Sequence, residues 1–234
     1  MAWQIVTDIR LPRTLGAWMA GALLGLAGAV AQGLFRNPLA DPFLLGSASG
    51  ASLGVASALA LFGVAPATVW LAKLGLTGAA FVGAVLAVLL TLQLARGVQH
   101  TLRLLLAGVI VGVVLSAAKD LVTIAEPDIL QAMQAFMLGS TGFVGWTACA
   151  VMAAMLAPTL ALAWGLSAVL DGLTLGEATA RSLGLPLAPM RAALVAVLAL
   201  ATGTAVAQAG LIAFVGLAAP HLVRSIVKTT HGRL

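Results

Sequence analysis

The sequence predicts an all-α, polytopic transmembrane helix bundle, and three observations carry that prediction. Of 234 residues 62% are hydrophobic, only 8% are charged, and the apolar residues gather into runs long enough to cross a bilayer. Soluble domains usually carry about 25% charged residues, so a water-soluble enzyme is excluded first. The 26 Gly and 9 Pro form no low-complexity tract, which excludes disorder and suits membrane helices, where both residues are commoner than in soluble ones. Net charge is +5, from 12 Lys+Arg against 7 Asp+Glu spread thinly between apolar blocks. That distribution gives basic loops and no patch of the kind a nucleic acid needs. Cys149 is the single cysteine, so no internal disulfide forms, and in its apolar run it behaves as a small hydrophobe.

A helix needs roughly 20 apolar residues to cross the hydrocarbon. Seven runs qualify, at about 14–34, 44–62, 68–94, 104–124, 143–168, 190–207 and 209–227. None shows the ten-residue alternation of a membrane barrel strand. Asp41-Pro42, Ala65-Pro66, Glu126-Pro127 and Leu185-Pro186 fall between the runs, as helix-ending pairs should. Seven crossings put the termini on opposite sides. With the amino terminus outside, eight basic residues lie inside (Arg36, Arg96, Arg103, Arg181, Arg191, Arg224, Lys228 and Arg233) and four outside (Arg10, Arg13, Lys73 and Lys119). The carboxyl end is therefore expected in the cytoplasm. Trp18, Trp70 and Trp146 then sit near outer helix ends and Trp164 near an inner one, where interfacial rings belong. No apolar signal lies between Met1 and Arg13 to carry that end outward, so a further upstream helix is expected.

Small residues recur four apart: Gly46, Gly50, Gly54 and Ala58; Gly75, Ala79, Gly83 and Ala87; Gly108, Gly112 and Ser116. That spacing puts them on one helix face, where backbones approach closely. Tight bundle packing explains such stripes by itself; a pathway wall is the sharper reading. Gly108, Gly112, Ser116 and Asp120 continue as one line along the fourth run with Lys119 beside it. Charges near a span face a cavity or a partner, and for Lys119 and Asp120 ion pairing or snorkelling to the interface stands beside the pathway reading.

Four longer stretches are distinctive. Arg10-Leu11-Pro12-Arg13 reads as a Pro-stiffened turn presenting two guanidinium groups, suited to carboxylates on a docking protein or simply to flanking a membrane. Gln32-Gly33-Leu34-Phe35-Arg36-Asn37-Pro38-Leu39-Ala40-Asp41-Pro42, ending in Leu44-Leu45-Gly46, reads as a turn between helices. In the longest inner loop, Thr174 can cap a short helix, Glu177 stands three residues on as in a capping box, and Gly184 can stop it; Glu177 and Arg181 pair at i and i+4. The fourth stretch is Gly210-Leu211-Ile212-Ala213-Phe214-Val215-Gly216-Leu217-Ala218-Ala219-Pro220-His221-Leu222-Val223-Arg224. Pro220 predicts a kink or break there. His221 reads as a helix-end residue, with no second ligand at metal spacing.

These four stretches, in this order from Arg10 to Arg233, resemble the FecCD-like permease subunits of binding-protein-dependent ABC importers for iron chelates (siderophores), haem and cobalamin, of the type II importer family. The resemblance implies a single transmembrane permease domain, 1–234, embedded in the bacterial inner membrane among lipid. It implies pairing with a second permease copy, as a homodimer or with a homologue, with an ATP-binding cassette ATPase subunit and with an extracytoplasmic substrate-binding protein. By it, Arg10 and Arg13 meet acidic residues of the binding protein. The segment carrying Thr174, Leu175, Gly176, Glu177, Ala178, Arg181, Leu183 and Gly184 is the coupling helix that enters a cleft on the ATPase. Gly108, Gly112, Ser116, Lys119 and Asp120 are the pathway candidates. Family permeases have about ten helices, so the first and the last two are expected to be absent from this chain.

Ala29-Val30-Ala31-Gln32-Gly33-Leu34 is echoed by Ala205-Val206-Ala207-Gln208-Ala209-Gly210-Leu211 with one inserted residue, one copy running inward and the other outward, as an inverted repeat requires. No phosphate loop, zinc-protease motif or carboxylate pair occurs in the sequence. The chain is thus expected to be a transport subunit, not an enzyme, with no cofactor of its own and ATP on the partner. An ion-gradient-driven secondary transporter and a non-functional permease fragment are the competing readings; the former usually relies on mid-bilayer acidic residues, which this sequence keeps at or beyond span ends.

Overall fold

A computed structural model describes residues 2–63, 70–95, 101–176, 180, 182, 186–226 and 230–233. The bundle is all-α. In chain order the helices are α1 (Leu11–Phe35), α2 (Ser47–Phe62), α3 (Trp70–Leu94), α4 (Thr101–Ala125), α5 (Leu130–Leu138), α6 (Trp146–Gly165), α7 (Ser167–Thr174), α8 (Leu187–Ala209) and α9 (Val215–Ile226). Among the described residues, five helical stretches are long and apolar enough to cross a membrane: Ile5–Phe35, Leu74–Leu94, Thr101–Ala125, Trp146–Gly165 and Leu187–Ala209.

Two of the expected spans start later than their apolar runs. The run at 44–62 loses its start because Pro42–Leu45 form a 3-10 turn and Gly46 takes φ +79°, so α2 begins at Ser47. The run at 209–227 is broken by Gly210 at φ +73° and Phe214 at φ +66°, and α9 starts only at Val215. Both positive angles end helical hydrogen bonding. A third correction concerns the run at 143–168, which ends at Gly165 and turns into the separate α7. Between α4 and α6, a 3-10 turn at Pro127–Ile129 leads into α5, a helix the pattern of spans does not contain.

The stretch Arg10-Leu11-Pro12-Arg13 is helix, not the turn expected. Pro12 cannot donate to residue 8, and the chain ahead of it accommodates this by winding as a π-helix over Ile5–Arg10, with Leu11 N–H bonded five residues back to Val6.

Contacts fix the relative directions. Trp146 Nε1 donates to Thr7 O at 3.1 Å and Cys149 Sγ lies 3.2 Å from Pro12 O, while Leu170 of α7 packs on Gly33. Helices α1 and α6 therefore run parallel. Ala209, at the end of α8, accepts from Ser140 N–H at 2.7 Å just before α6, so α8 runs antiparallel to both. The core agrees: Val30, Ala31 and Leu34 pack with Leu194, Val195 and Leu198 in one cluster, and Ala20, Leu23 and Leu24 with Ala201, Ala205 and Ala209 in another. Helix α8 is the central one, with two thirds of its apolar window buried.

The small-residue stripes of α2 and α3 do what packing requires. A side chain on Gly50 would strike the Gly83 carbonyl, one on Gly83 the Gly50 carbonyl, and one on Gly54 the Ala79 carbonyl. Backbone thus meets backbone along this pair. Pro220 makes a similar contact. It cannot donate to Gly216 four residues back, and the Gly216 carbonyl lies against Gly28 of α1, where a side chain would strike it.

Candidate functional site

Three places on the bundle bear on transport. At the first, Arg10 and Arg13 are both exposed and stand three residues apart on one helix, hence on one face. Exposed Trp146 and Trp18 lie at the same end, as interfacial rings do.

The second is an open groove of about 410 Å³ lined by Asp41, Leu44, Ser49, Gly108, Gly112 and Ser116 among others. It exists because Gly108 lacks a side chain: a Cβ there would meet the Leu44 carbonyl, so the turn at Pro42–Leu45 can lie directly on α4. Thr91 Oγ1 pins that turn from α3 by donating to Leu45 O at 3.0 Å. Asp41 starts it, accepting from Phe43 N–H at 2.8 Å. Burial pushes the Asp41 carboxyl above its ordinary value of 3.8, the Phe43 bond opposing the rise. Of the five pathway candidates, Gly108, Gly112 and Ser116 come together here. Lys119 and Asp120 do not. Lys119 is 8% exposed, turned toward Met137 of α5 with Nζ 3.8 Å from the sulfur, and is ion-paired with exposed Asp120.

The third lies at the opposite end, where α6 breaks into α7. Val169, Leu170 and Leu173 of α7 are buried against the end of α1 and the start of α8. Leu175 is exposed beyond them and Gly176 takes φ +105°. Thr174 is the last residue of α7. Glu177, Ala178, Arg181, Leu183 and Gly184 lie outside the described residues, and nothing is placed for them. Arg191, counted among the basic residues inside, is only 2% exposed within the first turns of α8.

Sequence reasoning missed a fourth feature. Asp171, Arg224, His231 and Gln32 come together from α7, α9, the turn at His231–Arg233 and α1. The signal was present as an acidic residue inside an apolar stretch, but its partner His231 lies 60 residues downstream. Among the described residues no three of His, Cys, Asp and Glu lie close enough together to hold a metal ion.

The arrangement has known counterparts. The FecCD transport family matches residues 1–234. The vitamin B12 import system permease protein BtuC of Escherichia coli O6:H1 is 41% identical over 227 residues, covering 97% of this chain and 68% of the relative; that of Shigella boydii serotype 18 has the same identity and coverage. Among solved structures, an inward-facing metal-chelate type ABC transporter superposes with a TM-score of 0.89 at 29% identity, over 98% of this chain and 72% of that one. Permeases of such importers work with an ATPase and a binding protein. The chain belongs to the FecCD transport family and is a multi-pass inner-membrane permease subunit of an ABC importer, a transport component and not an enzyme.

Proposed function

We propose that this permease moves a metal chelate of the cobalamin, haem or iron-siderophore class through the interface of two copies, with ATP hydrolysed on the partner subunit. The observation that carries the reading is the 41% identity to vitamin B12 permeases over 97% of the chain. The separation of chemistry along the bundle supports it. Arg10 and Arg13 offer paired positive charge to a binding protein at one end. At the other, α7 hands the chain to the segment from Thr174 to Gly184, which meets the ATPase. Docking at one end and nucleotide-driven movement at the other bias two gates, each through contacts that differ between states. In the groove, Gly108, Gly112 and Ser116 give a weakly interacting wall, so the binding protein selects the cargo.

The test is ATP-driven uptake into proteoliposomes holding the permease with its ATPase and binding protein, with cyanocobalamin, haemin and a ferric hydroxamate offered in turn. Uptake of one of these that persists when the proton gradient is collapsed is the expected result. No uptake of any, or uptake that stops with the gradient, overturns the reading, and the second outcome favours a secondary transporter.

A further inference from the structure

At the end of the bundle that carries α7, four polar side chains form one chain of bonds. Asp171 of α7 accepts twice from His231, from its backbone N–H at 3.0 Å and from its ring Nδ1 at 2.5 Å. The other ring nitrogen lies 3.2 Å from a terminal nitrogen of Arg224 on α9. Arg224 in turn donates to Gln32 Oε1 of α1 at 2.5 Å, and Gln32 Nε2 donates to Leu217 O of α9 at 3.1 Å. A guanidinium only donates, so His231 Nε2 accepts and the ring proton sits on Nδ1, facing Asp171. The imidazole thus bridges an anion and a cation while neutral. Its side chain is 11% exposed and Gln32 is 3% exposed, while the Asp171 side chain is 37% exposed, so the chain of bonds is shielded from water at His231 and Gln32 and open at Asp171.

Val169, Leu170 and Leu173 hold α7 to its neighbours by apolar contacts, and such contacts are non-directional. Hydrogen bonds to charged groups are directional and stronger. They couple the rotation of one helix to another where grease lets it slide.

We propose that Asp171, His231 and Arg224 form a side-chain latch that fastens α9 and the end of α1 to α7, so that a stroke reaching α7 from the ATPase side is passed to those two spans. His231 is the positioning residue at its centre. The inference rests on the reading of Thr174 to Gly184 as the ATPase-contacting segment.

The test uses the full permease with its ATPase in nanodiscs and needs no cargo. A bimane fluorophore is placed at Ile226→Cys on α9, 82% exposed, or at Leu175→Cys just after α7, 66% exposed, and its response to ATP and vanadate is read. Both sites should respond in the otherwise unsubstituted protein. Asp171→Leu or His231→Phe should keep the Leu175 response and reduce that at Ile226 at least fivefold. Asp171→Asn, which keeps an acceptor oxygen for both His231 bonds, should retain at least half of it. Should Asp171→Leu fail to assemble, His231→Phe, which keeps the ring's bulk, gives the same reading. An undiminished Ile226 response in either variant overturns the latch alone. No response at Leu175 in the parent protein overturns the coupling reading, and the latch falls with it for want of a stroke to pass on.

Discussion

The echoed segments at the ends of α1 and α8 begin from nearly the same residues and are held in opposite ways. In α1, Gln32 is buried and bonded through its side chain to Arg224 and Leu217, and Gly33 packs under Leu170 and His231. In α8, the matching Gln208 is half-buried and lines a cavity of about 390 Å³ with Thr77, Phe136 and Thr147. There the backbone makes the connections: Ala209 O accepts from Ser140 N–H, and Leu211 N–H donates to Phe136 O. The exits differ as well. Arg36 leaves α1 at φ 51° and ψ 38°, whereas Gly210 leaves α8 at φ 73° and ψ -164°. A shared motif therefore specifies a helix end, and the neighbours specify whether side chains or main chain tie it down.

The largest expected effect breaks the α1 side. Gly28→Val forces a side chain onto the Gly216 carbonyl and should cost about 3 kcal/mol of stability, the upper part of the range for overpacking, read as a lowered Tm in detergent. Gly21→Ala on the same helix has open space around it and should instead gain up to about 1 kcal/mol from helix propensity. Equal shifts for the two would show that the α1–α9 contact is loose.

Next in size is the glutamine pair. Gln32→Leu strips a bond from Arg224 and another from the Leu217 carbonyl and should cost about 2 kcal/mol. Gln208→Leu should stay within about 0.5 kcal/mol. Matching losses in chemical denaturation would erase the distinction between the two ends.

The smallest effect lies in the turn after α1. Folding raises the Asp41 carboxyl above its ordinary value of 3.8, so the folded chain holds that proton more tightly than the unfolded one. Its contribution to stability is full below that ordinary value and is lost as pH rises through the raised one. Asp41→Asn keeps an acceptor for Phe43 N–H and should melt about 2 °C higher than the parent at pH 7. The gap should close below the ordinary carboxylate range; a gap independent of pH would assign it to something other than titration.

Most of the architecture is legible from composition and run length, because lipid imposes one solution on apolar sequence. Five of the seven expected runs contain helices of spanning length. The other two failed at Gly46, Gly210 and Phe214, since hydropathy does not register the sign of φ. Helix α5 escaped notice because nine residues, Leu130–Leu138, are too few to make a span. At the candidate site the small-residue line along α4 was readable as far as Ser116. Lys119 pairs with its neighbour Asp120, the ion pairing that adjacency offered, but its turn toward Met137, 18 residues on, is a contact that spacing alone does not bring together. The Asp171–His231–Arg224 cluster was illegible for the same reason.

Helix α2 has 16 residues, about 24 Å of rise, against about 30 Å of hydrocarbon. The connection into α9 cannot be left in lipid by itself, since Leu211 N–H donates to Phe136 O in the bundle and would otherwise have only acyl chains for company. Biogenesis is accordingly ordered there: α5, which supplies the Phe136 carbonyl, has to be in place to receive it.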